Sequence, residues 1–188
     1  MPRIKALNKS EAPDRAQPLL DGVEKKLGKV PNLMRTMAQS PATLESYLGF
    51  SAAVSKGSLP AKLREQIALV VGESNSCEYC VAAHSALGRL AGLSSEEITD
   101  SRTGNSPDSK TEAALTFARK LVKERGFVSD EDVTSLRSAG YDDGAITEIV
   151  ANVALNIFTN YFNHVAQTEV DFPRQAALSD KPTCACGV

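Results

Sequence analysis

The sequence has no long apolar run, no surplus of positive charge and no sustained two-residue alternation. Nothing in its 188 residues approaches the roughly 18–20 consecutive apolar positions that a membrane-spanning helix needs. Its 21 basic side chains face 23 acidic ones, a net charge of −2. Such a balance offers a phosphate backbone no electrostatic reason to bind, so nucleic acid is set aside as a partner. β-branched residues are scattered and no strand is expected. With no strand and no glycine-rich turn leading from one into a helix, no haem, flavin or nicotinamide site is expected. The opening residues lack the apolar core of a secretory signal, which makes the cytoplasm the expected compartment. What the chain does have is 42% apolar residues, enough to build a core for one domain.

The pattern of that domain is helical. Residues 1–17 are polar and proline-marked and read as an N-terminal arm. Residues 174–188 read as a flexible polar tail. Between them, residues 18–173 read as one all-α domain whose core motif occupies 40–125. Its helix starts are well signalled. Ser40-Pro41 opens a segment to about Ser55, and Ser58-Leu59-Pro60 opens the next, to about Ser74. Ser76 is placed to cap a helix over Cys77–Ala91, closed by Gly92. Ser94 to Glu97 is a capping-box pattern for a short helix. Ser101–Pro107 reads as a loop. Further helices are expected over 108–125, 129–140 and 143–168. Short connections between such segments imply antiparallel neighbours in a bundle.

Chemistry concentrates in the cysteines and histidines. Histidine occurs twice and cysteine four times, the cysteines as Cys77-Glu78-Tyr79-Cys80 and Cys184-Ala185-Cys186. In a cytosolic setting a CxxC is redox-active or metal-binding more often than structural. Zinc is the first rival, but Cys77, Cys80 and His84 supply only three of the four ligands that a structural zinc site wants. The redox reading uses more residues. Cys77 and Cys80 share one helical face at a helix start, where unpaired N–H groups and the dipole favour a thiolate. His84 lies one turn beyond Cys80 on the same side and can move a proton near neutral pH. Glu65, on the preceding helix, can face His84 once the Glu73–Ser76 turn folds that helix back, and would orient the ring. The dipole favours Cys77 as the reactive thiol, while the four-residue spacing to His84 favours Cys80.

The stretch from Leu63 to Leu93 resembles the AhpD-like alkylhydroperoxidase group within the carboxymuconolactone decarboxylase family. The matching pattern is Glu65, eleven residues, then Cys77-x-x-Cys80-x-x-x-His84. The segments VPNLMRTMAQSP and NYFNHVAQTEVDFP extend the likeness, over about residues 18–173, to that family's peroxidase-related branch. The resemblance implies an all-helical AhpD-like bundle assembling as trimers or hexamers. It implies Cys80 as the peroxide-attacking thiolate, Cys77 as the resolving thiol, and His84 with Glu65 as the proton relay. One position departs: the family's well-studied peroxidases carry histidine immediately before the second cysteine, where this chain has Tyr79. Tyr79 is therefore a possible modulator of the site, a phenol where an imidazole would serve as a second relay group.

The expected activity is thiol-dependent reduction of hydroperoxides in antioxidant defence, needing no cofactor or metal beyond the redox-active disulfide. An external dithiol, borne by a protein or a lipoyl group, would return the pair to the reduced state. The alternatives are a carboxymuconolactone decarboxylase-like lyase and a non-catalytic dithiol that relays electrons to another peroxidase. The wide apolar surface of the last helix (Ile146, Ile149, Val150, Val153, Ile157, Phe158) adds to the expectation of a homo-oligomer. Asn156, Asn160, Asn163 and His164 read as a polar stripe on that helix, serving an internal network or a subunit contact, with a pocket wall as the alternative. Tyr47, Phe50 and Phe158 are expected in the core, Glu73 at a solvated helix end, and the Cys184/Cys186 pair in a mobile tail.

Overall fold

A computed structural model describes residues 1–178. Among them there is no strand, and the helices are α1 (Gln17–Leu27), α2 (Asn32–Met37), α3 (Pro41–Val54), α4 (Ala61–Ser74), α5 (Glu78–Leu90), α6 (Ser95–Thr103), α7 (Ser109–Lys123), α8 (Asp130–Ser138) and α9 (Asp143–Ala166). The starts follow the capping residues, because a side-chain oxygen satisfies amides that the first turn leaves without partners. Ser40 accepts from Thr43 N–H at 3.3 Å, and Asp142 accepts from Ala145 N–H at 2.7 Å. Ser94 and Glu97 form the full reciprocal box, with bonds of 3.1 and 2.7 Å. No helix of the described residues is long and apolar enough to cross a membrane.

The architecture is built around α4. Gln66 to Gly72 are buried without interruption, so this helix has neighbours on every side rather than one apolar stripe. It packs against α5, α6, α7 and α9. One core joins Leu63, Ile67, Val70 and Val71 of α4 to Leu115 and Ala118 of α7, Leu136 of α8, and Ile149 and Val153 of α9. A second core surrounds the start of α5, where Cys77, Tyr79, Cys80 and Ala83 meet Leu20, Leu33, Met37 and Leu44. The crossing of α4 and α5 is close. A Cβ on Gly72 would touch Val81 and Cys80, and one on Gly88 would lie 2.9 Å from Leu93 Cδ1.

Several local expectations change. Residues 1–16 are no free arm: Leu7, Ala12 and Ala16 are buried in the second core, and Arg3 N–H donates to Ala166 O at 2.8 Å. Apolar residues spaced among polar ones gave no periodic signal there, since the segment is not a long helix. Ser101–Pro107 is only partly a loop, because α6 runs through Thr103 before Gly104 takes φ 80°. Ser101 hides its hydroxyl on Glu97 O at 2.6 Å, so a polar-looking residue sits inside the helix. Glu73 is paired rather than solvated: Arg102, itself buried, donates to it at 2.8 Å. Arg102 also holds Ala176 O at 3.0 Å, and Arg174 pairs with Glu78, so residues 174–178 lie tethered across α5 and α6. Cys184 and Cys186 lie outside the described residues. Phe50 and Phe158 are not core: they are 38% and 39% exposed. His164 leaves the polar stripe, being exposed while Asn156, Asn160 and Asn163 are buried.

Candidate active site

The turn between α4 and α5 sets the first cysteine. Cys77 N–H bonds back to Gly72 O at 2.8 Å, the six-to-one bond of a Schellman ending. That ending needs a left-handed residue just before Cys77. Ser76 supplies it at φ 54° where glycine is usual, at a cost of roughly 1–2 kcal/mol. Asn75 anchors the turn to α9 by donating to Asn160 Oδ1 at 2.8 Å. Ser76 is thus the turn residue and Cys77 itself is the N-cap of α5, its Sγ accepting Cys80 N–H at 3.4 Å. Sequence reasoning put the cap one residue early, because cysteine is not among the residues whose capping is readable from a sequence.

Cys77 and Cys80 are joined as a disulfide across a Cα–Cα separation of 5.3 Å. Both are nearly inaccessible, at 1% and 2% exposure. They differ in what they face. Cys80 lines a cavity of about 420 Å³ and Cys77 does not. The cavity walls are mainly apolar, with Leu33, Met34, Ala83, Leu87 and Phe172 among them. Tyr47 packs against the second core, as expected, and also lines this wall, partly buried. Its phenol is pushed up to about 12, first by burial and then by the Glu65 carboxylate.

His84 lines the same cavity, one helical turn beyond Cys80. Its Nδ1 lies 2.8 Å from Glu65 Oε2, and both side chains are 22% exposed. A carboxylate there can only accept, so Nδ1 carries the hydrogen and Nε2 remains the nitrogen able to exchange a proton with the cavity. The sequence-predicted set of Cys77, Cys80, His84 and Glu65 is therefore gathered at one place. Among the described residues no group of three or more His, Cys, Asp or Glu is arranged to hold a metal ion.

Tyr79 has a different task from the one that its position suggested. Its hydroxyl accepts Leu33 N–H at 3.1 Å, and Asp171 accepts Asn32 N–H at 3.1 Å. The two side chains thereby satisfy the first-turn amides of α2, whose N-cap, Pro31, has no side-chain oxygen to offer. The ring also meets Phe172 edge-on, with centroids 5.8 Å apart. Burial drives the phenol far above its usual range, with the Leu33 bond opposing and Asp171 reinforcing the rise. Tyr79 stays a neutral phenol at any physiological pH and fastens α2 to α5 beside the cavity. Tyr79→Phe is expected to lower unfolding stability by about 1–3 kcal/mol, by stranding a buried N–H. Chemical denaturation of the two proteins reads that difference.

Sequence reasoning placed Asn163 in a helix network or subunit contact, with a pocket wall as the alternative, and the alternative is the nearer to what is found. It lies at the site: its Nδ2 is 3.3 Å from Cys80 Sγ. The only sequence signal was its spacing from Asn156 and Asn160 on one face of α9.

Comparison with known proteins bears on the family and the fold. A profile of the carboxymuconolactone decarboxylase family matches residues 41–124. No curated protein sequence matches the chain. Among solved structures, a peroxidase-related protein with an alkylhydroperoxidase AhpD core from Ralstonia eutropha JMP134 is similar, with TM-score 0.81 and 25% identity over 90% of this chain and 92% of that one. A peroxidase-related protein from Silicibacter sp. TM1040 has TM-score 0.75 and 26% identity over 94% and 96% of the two chains. The debrominase Bmp8, crystallised as a variant with 2,3,4-tribromopyrrole, shares the fold at TM-score 0.77 and 22% identity, over 90% and 91%.

Proposed function

We propose that this chain, whose residues 41–124 match the carboxymuconolactone decarboxylase family and whose fold is similar to that of an AhpD-core protein, is a thiol-dependent hydroperoxide reductase of that family. The observation that carries the reading is a Cys77–Cys80 disulfide with Cys80 and His84 lining one mainly apolar cavity and Glu65 bonded to His84. In the reduced protein, His84 takes the Cys80 proton and the thiolate attacks a peroxide oxygen. The O–O bond breaks, His84 gives its proton to the departing alkoxide, and Cys80 is left as a sulfenic acid. Cys77 then attacks that sulfur. Its proton passes to the departing hydroxide, water leaves and the disulfide forms. One hydroperoxide is reduced to an alcohol and two thiols are oxidised. A protein or lipoyl dithiol outside the chain reduces the pair by exchange, and no metal or organic cofactor takes part.

Cys80 is the attacking sulfur in this scheme because it is the one facing the cavity. The helix dipole favours Cys77 but offers it no route to a substrate. The scheme also includes self-association, for which the exposed Val150, Phe158, Tyr161 and Val165 of α9 supply apolar surface. The lyase alternative gives no task to a redox pair.

Peptide mapping after one equivalent of organic peroxide tests the reading on protein first reduced with a dithiol. One Cys77–Cys80 crosslink per peroxide consumed is expected, with turnover when reductant is supplied and no second peroxidase is present. Peroxide consumption only in the presence of another peroxidase would favour an electron relay. Thiols that stay reduced would overturn both readings.

A further inference from the structure

Asn163 reaches Cys80 from α9, 83 positions away in sequence, and its amide Nδ2 donates to Cys80 Sγ across 3.3 Å. The side chain is buried, and its other polar atom, Oδ1, has no hydrogen-bond partner among the described residues. A buried amide with one end unpaired is worse for stability than an apolar side chain of similar size. The arrangement makes physical sense if the remaining end serves the sulfur.

We propose that Asn163 is a catalytic residue of this site, its amide N–H holding the Cys80 thiolate in place for attack on the peroxide. The proposal rests on the assignment of Cys80 as the attacking sulfur. Both cysteines sit at the start of α5 and share its dipole, and Cys77 Sγ accepts the Cys80 amide as the helix N-cap. The Asn163 bond is what Cys80 has and Cys77 lacks. An N–H to a neutral disulfide sulfur is weak, whereas the same bond to a thiolate is charge-assisted and roughly twice as strong. The amide therefore favours the charged form that reduction creates.

The other titratable or charged groups at this site are Cys77, His84 with Glu65 behind it, the phenols of Tyr79 and Tyr47, and Lys26 and Lys29 on the cavity wall. The α9 residues nearest Asn163 on the buried face, Asn156, Thr159 and Asn160, carry no charge. Asn163→Leu thus removes one donor and leaves every titrating neighbour in place.

The test uses a Cys77→Ser background, in which Cys80 is the only thiol of the motif, with Cys184 and Cys186 replaced by serine to silence the tail. Ultraviolet thiolate absorbance is followed against pH, and the rate of alkylation by iodoacetamide is measured at neutral pH. Asn163→Leu should raise the Cys80 midpoint by about one unit, so that the thiolate fraction at a pH below both midpoints falls about tenfold. Alkylation should slow by a similar factor. Asn163→Ser, whose hydroxyl is too short to span the gap, should give the same direction and keeps the test open if the leucine variant fails to fold by circular dichroism. A midpoint that stays put in a folded variant overturns the proposal. Failure of the peroxidase reading is distinguishable: the unsubstituted chain would then leave peroxide untouched while the Asn163 shift persisted.

Discussion

Replacing His84 with glutamine is expected to slow peroxide consumption by about 10²–10⁴-fold, the range for loss of a positioned general acid–base. The reason lies in the geometry. Glu65 accepts the Nδ1 hydrogen at 2.8 Å, which directs Nε2 toward the cavity that Cys80 lines. Glutamine can keep a hydrogen bond to Glu65, so the helix pairing survives, but its amide does not take up or release a proton near neutral pH. Rate–pH profiles of the two proteins, with circular dichroism to compare their folds, measure the effect. A His84→Gln variant with unchanged rates between about pH 6 and 8 would falsify the relay.

The two cysteines should respond to substitution unequally, and this difference is the largest effect expected. Cys80→Ser should abolish peroxide consumption, because a serine hydroxyl in that place remains protonated and cannot act as the nucleophile. Cys77→Ser should instead consume up to one equivalent and stop, because the sulfenic acid forms on Cys80 with no partner three residues away to resolve it. A peroxide titration with mass measurement of the product distinguishes the two. One added oxygen on Cys80 in the Cys77→Ser variant is expected. Consumption that survives Cys80→Ser and vanishes in Cys77→Ser would reverse the roles and make the helix dipole, rather than access to the cavity, the deciding influence.

The legible part of the site was the part built from near neighbours in the chain. Cys77, Cys80 and His84 lie within three turns of one helix, and helical periodicity alone aligns them. Glu65 lies twelve residues before Cys77, and the turn between α4 and α5 brings it within 2.8 Å of His84, as the motif spacing led one to expect. The contact of Tyr79 was not legible because its neighbours in sequence say nothing of its hydroxyl. The group that hydroxyl meets is Leu33 N–H, 46 positions away. Asn163 is farther still, and a polar residue on an apolar helix is compatible with a subunit contact, an internal network or a site until the facing helix is known.

By itself, the sequence determined the all-helical class, most of the helix starts and the redox motif, since capping bonds, glycine stops and helical spacing act within about four residues. Tertiary structure alone decided which sulfur faces the cavity, that Tyr79 supports α2 rather than moving protons, that residues 1–16 cover the second core, and that Phe50 and Phe158 stay exposed. Each of these depends on which distant surface a side chain meets. Burial and hydrogen-bond partners are properties of packed pairs, and the identity of the second member of a pair is not written in the local pattern around the first.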